Sequence, residues 1–282
     1  MSDASQDWAD WVGHREEAVD SLDLNRARAL QATLDDPQDA LAAGDALPPL
    51  WHWAYFWTTA ATADLGPDGH AARGGFLPPI DLPRRMWAGS RVSFLRLPSV
   101  GSEVARRSTI KSVEHKTGRS GVLAFVTVEH VVADTAGDCI VEEHDIVYRE
   151  AAAKGAQVPP GEAAPAEAAW VHPVTPDPVL LFRYSALTFN GHRIHYDQPY
   201  TTGEEGYPGL VVHGPLLATL MIGLLRRERP GAVATAFRFR ALRPIFDTRP
   251  FTVCGAPEDT RADLWVTDPD GFVAMQGTVE WR

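Results

Sequence analysis

Residues 213–228, HGPLLATLMIGLLRRE, read as a helix whose PLLATLMIGLL portion, 215–225, is apolar around nearly its whole circumference. A helix of that kind must be wrapped by a sheet or by another domain. Arg226 and Arg227 fall in its last turn, where cations favour the dipole, and Pro230 with Gly231 ends it. The stretch leading into it, residues 182–214, reads FRYSALTFNGHRIHYDQPYTTGEEGYPGLVVHG. Tyr184, Ser185, Asn190, His192, His195, Tyr196 and Asp197 crowd together there, where a purely structural segment would show apolar periodicity. A reactive segment running straight into a buried helix has the layout of a site.

Working outward, strand-like runs follow the helix at 232–241, 251–255, 261–266 and 272–281, and others lie far upstream at 91–97, 103–114, 121–133 and 139–148. Val122, Ala124, Val126 and Val128 alternate with Leu123, Phe125 and Thr127, so this strand is expected to be buried on both faces. Near the N-terminus, Leu24, Ala27, Leu30 and Leu34 stand three and four apart and form one helical stripe. Residues 151–178 are rich in Ala, Pro and Gly without either regular period, and are expected to be an inter-domain linker. Two halves, each a helix followed by four strands, predict a duplicated α+β unit with two domains, 1–150 and 179–282.

Composition narrows the function classes. The 282 residues carry a formal charge of −11, which argues against a nucleic-acid surface, since phosphate backbones select for basic stripes. No uninterrupted apolar run of about 18 residues is present, so no membrane span is expected. The N-terminal segment lacks a basic region followed by an apolar one, and a cytoplasmic protein is expected. Cys139 and Cys254 stand far apart and outside any CxxC pattern, so both are expected to be inert strand residues.

The chemistry of residues 182–214 can be read in more than one way. His192 and His195 could serve as metal ligands, but no HExxH accompanies them, and no metal or cofactor is expected. They could also be capped loop residues. Two features favour catalysis. His213 and Gly214 sit where the buried helix begins, and free backbone N–H groups there can stabilise negative charge on a substrate oxygen. An imidazole nearby can move protons. With no GxSxG elbow and no evident activated Ser or Cys, proton transfer beside a thioester carbonyl is preferred over covalent acyl transfer.

YSALTFNGHRIHYD followed by GYPGLVVHGPLLATL resembles the motif of the MaoC-like, double hot-dog (R)-specific enoyl-thioester hydratases and dehydratases. Within that group it is similar to the branch of mitochondrial-type hydroxyacyl-thioester dehydratases and bacterial mesaconyl-C4-CoA and itaconyl-CoA hydratases. LPPLWHWAYF (47–56) and GGFLPPIDLPRRMWAG (74–89) share that similarity. The resemblance implies two antiparallel sheets, each wrapped around a central helix, with catalysis in the C-terminal half and substrate binding in the N-terminal half. It implies His195 as the base, Asn190 where the wider family has a catalytic Asp, and the Gly214 amide as oxyanion donor. An amide cannot titrate, so Asn190 can only orient water or imidazole. His192, Tyr184, Arg193, His213, Gly209, Arg84, Arg85 and Trp51 are candidate substrate contacts, an arginine being needed if the acyl group carries a second carboxylate. The substrate implied is a coenzyme A thioester, most directly of a C5 dicarboxylic acid. A fatty-acyl dehydratase and a silent acyl-thioester binder are the alternatives, and a homo-oligomer is compatible with the exposed sheet edges of such a fold.

Overall fold

The computed structural model describes residues 8–71, 74–118, 121–150 and 161–282. The N-terminal half contributes β1 (Arg15–Ser21), α1 (Leu24–Thr33), β2 (Arg84–Phe94), β3 (Glu103–Gly118), β4 (Gly121–Asp134) and β5 (Gly137–Arg149). The C-terminal half contributes β6 (Trp170–Val174), α2 (Pro178–Thr188), α3 (Gln198–Gly203), α4 (Gly214–Glu228), β7 (Ala234–Ala241), β8 (Phe251–Pro257), β9 (Arg261–Thr267) and β10 (Val273–Trp281).

All ten strands join one sheet in the order β1-β3-β4-β5-β2-β7-β10-β9-β8-β6. Outward from the centre the order is 2-5-4-3-1 on one side and 7-10-9-8-6 on the other, so the second half repeats the first five strands later. Each half is a strand, a helical insertion and four more strands. The two sheets expected from sequence are fused where Gly89 to Ser93 pair antiparallel with Ala236 to Arg240.

The elements begin and end for local reasons. Asp23 caps α1 by accepting from the Arg26 N–H, and Asp177 caps α2 by accepting from Leu180, with Pro178 in the first turn. α4 lies against β6 to β10 and buries Leu216, Leu217, Ala218, Leu220, Met221, Ile222, Leu224 and Leu225. Each fully buried aliphatic side chain of this size contributes about 1.5–3 kcal/mol, so this helix anchors the C-terminal half. One apolar core runs from α1 through α4 into both parts of the sheet.

Two expectations change. In β4 the residues Ala124, Val126 and Val128 are buried, whereas Leu123, Phe125 and Thr127 are only partly covered and Val122 is exposed. The strand therefore buries one face, because a second apolar cluster, with Trp8, Ile80, Ile110 and Tyr148, covers that side of the sheet. The expected linker also contains structure: Trp170–Val174 is an edge strand paired with β8, and Ala163 bridges to Phe272. Residues 151–160 lie outside the described residues. Both cysteines are free and buried. No helix among the described residues is long and apolar enough to cross a membrane.

Candidate active site

The site forms where α2 stops and α4 starts. α2 ends at Phe189, whose left-handed backbone (φ 52°) turns the chain, and Asn190 donates its N–H to the Ser185 carbonyl. The Asn190 side-chain oxygen accepts from the His192 N–H at 3.0 Å, which directs the next residues into a short 3₁₀ turn, Arg193–His195. His195 is thereby pushed inward, 7% exposed, with Nδ1 2.6 Å from the Val211 carbonyl oxygen. A carbonyl only accepts, so Nδ1 carries the proton and Nε2 presents a lone pair.

His213 lies beneath it, ring on ring, with centroids 3.7 Å apart and planes 18° apart. It is fully buried, holds the Ser185 hydroxyl at 2.8 Å through Nε2, and makes no side-chain cap on α4. Gly214 therefore opens the helix with an amide that no side chain of His213 occupies, and the Trp87 ring stands against it. Burial takes His195 down to about 4 and, together with the charges of His70, His195 and Arg85, takes His192 down to about 2. Burial likewise holds His213 well below the ordinary imidazole range. These three rings are neutral near pH 7.

A hairpin from the N-terminal half completes the site. Leu65 bridges to Ala71, and Gly69 at the tip has φ +87°. A Cβ on Gly69 would collide with the Gly191 carbonyl, so only glycine allows the hairpin to reach the 190–193 turn. Arg193 locks the contact, its N–H donating to the Asp68 carbonyl at 2.8 Å and its Nη1 to that of Pro67 at 2.9 Å. His70 then lies 4.1 Å from His192, ring to ring, and His192 lies 5.4 Å from His195. The result is a row of four imidazoles, His70, His192, His195 and His213. Asp68 closes its outer end by accepting from His70 Nδ1 at 3.0 Å. That hydrogen bond, outweighing the effect of burial, holds the Asp68 carboxyl well below the usual carboxylate range.

Asp68 and His70 were absent from the sequence-derived candidates. Their only local signal is the Pro67-Asp68-Gly69 turn, because nothing in the spacing indicates what the turn touches. Ligating atoms of Asp68, His70 and His192 lie within 4.8 Å of one another, close enough to gather on a divalent ion. Asp68 and His70 are also bonded directly to each other, through one carboxylate oxygen and Nδ1.

The structure brings together His195, His192, His213, Asn190 and Gly214 and assigns other work to several remaining candidates. Tyr184 is buried edge-on against His213, with its ring 5.0 Å away and its hydroxyl bonded to Thr219, so it supports the imidazole stack. Gly209 packs against Asp247 and Thr248, where a Cβ would clash, and its role is close packing. Arg193 pairs with Asp197 at 2.8 Å and lies over the Tyr200 ring. Arg84 pairs with Glu205 and donates to the Tyr207 hydroxyl. Trp51 is a 3% exposed core residue beside Arg226, which is twelve positions and about 18 Å along α4 from Gly214. Arg85 is exposed, makes no ion pair with a described residue, and its charge acts on His192.

A duplicated hot-dog topology with a desolvated imidazole at the N-terminus of the central helix defines a double hot-dog protein of the MaoC-like type. The same fold is found in a MaoC-like dehydratase from Phytophthora capsici, with TM-score 0.71, 14% identity and coverage of 97% of this chain and 98% of that one. It recurs in a double-hotdog protein from Mycobacterium tuberculosis, with TM-score 0.59, 12% identity and coverage of 96% of each chain. The chain belongs to the hydroxyacyl-thioester dehydratase type 2 family, which matches it over residues 50–247. It is 48% identical to the mesaconyl-C(4)-CoA hydratase of Chloroflexus aurantiacus over 98% of this chain and 99% of that protein. It is 29% identical to the mitochondrial hydroxyacyl-thioester dehydratase type 2 of Schizosaccharomyces pombe over 81% of this chain and 85% of that one.

Proposed function

We propose that the protein is a hydro-lyase that adds water reversibly across the double bond of an enoyl-CoA thioester, acting on a C5 dicarboxyl-CoA of the mesaconyl-C4-CoA kind. The observation that carries this reading is His195. It is a buried imidazole whose Nδ1–H is committed to Val211, leaving Nε2 free beside the start of α4. The high identity to the Chloroflexus hydratase over nearly both full lengths supports the substrate class. Residues 179–282 act as the catalytic half and residues 1–150 as the substrate-binding half, working in the cytoplasm on a CoA-borne substrate without a metal or cofactor.

In the hydration direction, the thioester carbonyl accepts a hydrogen bond from the Gly214 N–H. His195 Nε2 takes a proton from water as the water oxygen bonds to Cβ, and the π pair moves onto the thioester oxygen as an enolate. Collapse of the enolate with proton delivery to Cα completes a 3-hydroxyacyl thioester. The Asn190 side-chain oxygen is bound to the His192 N–H, so its remaining amide hydrogens can hold the water only by donating to the water oxygen. Arg85 supplies the counter-charge for the distal carboxylate, since Arg84 and Arg193 already have carboxylate partners.

The deciding experiment compares wild type and Arg85→Ala on mesaconyl-C4-CoA and crotonyl-CoA, following loss of the enoyl absorbance. The dicarboxyl substrate is expected to be preferred. The variant is expected to lose about 10- to 100-fold in kcat/KM on it, the worth of a charged hydrogen bond, with little change on crotonyl-CoA. Preference for long acyl chains would point to a fatty-acyl dehydratase, and no turnover of any enoyl-CoA would point to a binding protein.

A further inference from the structure

Hydration needs two proton movements, one away from water at Cβ and one onto Cα, and His195 is poorly equipped to make both. Its Nδ1 partner is a neutral carbonyl, and burial has already cost it much of its basicity. His213 is bonded to a hydroxyl, and Asn190 stands where the wider family carries a carboxylate. Among the described residues, His70 alone of the four imidazoles in the row has a carboxylate on its ring. A carboxylate on Nδ1 fixes the ring in one tautomer and offsets the cost of a positive charge, leaving Nε2 to exchange a proton. The His70 side chain is also 27% exposed, so it meets solvent where His195 does not. Its charge is felt at both His192 and His195.

We infer that the Asp68–His70 pair, delivered by the N-terminal hairpin, is the second proton-transfer group of the site, protonating Cα while His195 deprotonates water. The inference rests on the hydratase reading above. His195 Nε2 takes one proton from water, the water oxygen bonds to Cβ, and the π electrons move to the thioester oxygen at Gly214. The proton taken up by His195 passes outward past the His192 ring to the lone pair of His70 Nε2, where Asp68 offsets the new charge. The enolate then reforms its carbonyl as Cα takes that proton from His70 Nε2, which restores both imidazoles. His70 is thus a catalytic residue and Asp68 its positioning residue. The N-terminal half then carries part of the chemistry as well as binding.

The test uses the full-length protein with His70→Ala, His70→Gln, Asp68→Asn and His195→Ala, each checked for folding by circular dichroism. Both His70 variants are expected to lose about 10²-fold or more in kcat with KM little changed. Asp68→Asn is expected to lose on the order of 10-fold. Free imidazole should restore part of the activity of His70→Ala, whose side chain is partly exposed, and little or none to His195→Ala, whose side chain is buried. Wild-type kcat in His70→Gln would overturn the inference, as would a His70→Ala loss that imidazole does not restore. So would wild-type activity that disappears on dialysis against EDTA and returns with Zn²⁺, because the cluster would then be a metal site. A wild type that hydrates no enoyl-CoA at all would remove the hydratase reading, and this inference with it. An active wild type with an unaffected His70 variant would remove the inference alone.

Discussion

Two groups of imidazoles lie in this molecule, and they differ in where the carboxylate sits. In the N-terminal half, Glu142 on β5 is 2% exposed and accepts from His52 Nε2 at 2.8 Å, from Trp53 Nε1 at 3.0 Å and from His144. His130 stands edge-on to His144 and bonds Ser108. In the other group four imidazoles run inward from Asp68, whose side chain is 39% exposed at the rim. Burial alone would push Glu142 up, but the charge and hydrogen bonds of His144 and His52 hold it well below the ordinary range. A carboxylate surrounded by donors inside the core locks its partners in place. A carboxylate at the rim leaves the inner rings neutral and the outer one in reach of solvent. Like chemistry thus serves as a fastener in one half and as a site in the other. The two groups touch through Trp53 and Trp87, 4.9 Å apart, so the fastener also steadies the ring that stands against Gly214.

The sharpest break of this comparison is one substitution in each group. His195→Ala is expected to cost about 10²- to 10⁴-fold in kcat with the unfolding midpoint near wild type; near-normal turnover would sink the assignment of the base. Glu142→Ala is expected to do the reverse, lowering stability by about 3–5 kcal/mol in urea unfolding because His52, Trp53 and His144 lose their shared buried acceptor. Folded molecules should keep kcat within an order of magnitude.

The pH dependence of stability separates the groups more finely. His195 is depressed to about 4 in the folded state, so between that value and the ordinary imidazole range the unfolded chain binds more protons. Stability must then rise with pH across that window, by up to about 1.4 kcal/mol per pH unit for this group. His195→Gln should lower the slope by no more than one proton's share, because His192 and His213 keep theirs. Glu142 is depressed too, but for a carboxyl the stability is present above the usual carboxylate range and lost as pH falls through it. Glu142→Gln should therefore change the acid limb and leave the higher window alone. Urea titrations at a series of pH values would show a single shared window if the two groups were not distinct.

The smallest effect is expected at Asn190. Asp in its place can still accept from the His192 N–H, so Asn190→Asp should keep kcat within about tenfold. A larger loss would mean that the amide hydrogens, rather than the oxygen, are what the site uses.

Much of the C-terminal half was legible because its signals are local. The apolar circumference of residues 215–225, the Asn190 to His195 spacing and the stops at Pro230 and Gly231 all act within a few turns of chain. The alternation in β4 misled, because apolar residues on both faces do not say which face the core will cover. The short strand Trp170–Val174 was hidden in a Pro- and Ala-rich run, since an edge strand needs only one neighbour. The Asp68–His70 hairpin was invisible for a different reason. Its meaning depends on a backbone contact between Gly69 and Gly191, more than a hundred residues apart. The same distance hid why Gly209 is a glycine, since Asp247 and Thr248 lie far along the chain.

The sequence by itself determined the buried helix, where it starts and stops, eight strands of the sheet and the placing of an imidazole before an unoccupied helix start, because periodicity and turn chemistry are properties of neighbouring residues. Only the tertiary structure decided which nitrogen of His195 is free, that Arg84 and Arg193 are tied to carboxylates, and that Asp68 and His70 stand beside His192. Hydrogen bonds, desolvation and ring contacts are set by residues that meet only when the sheet has closed around α4.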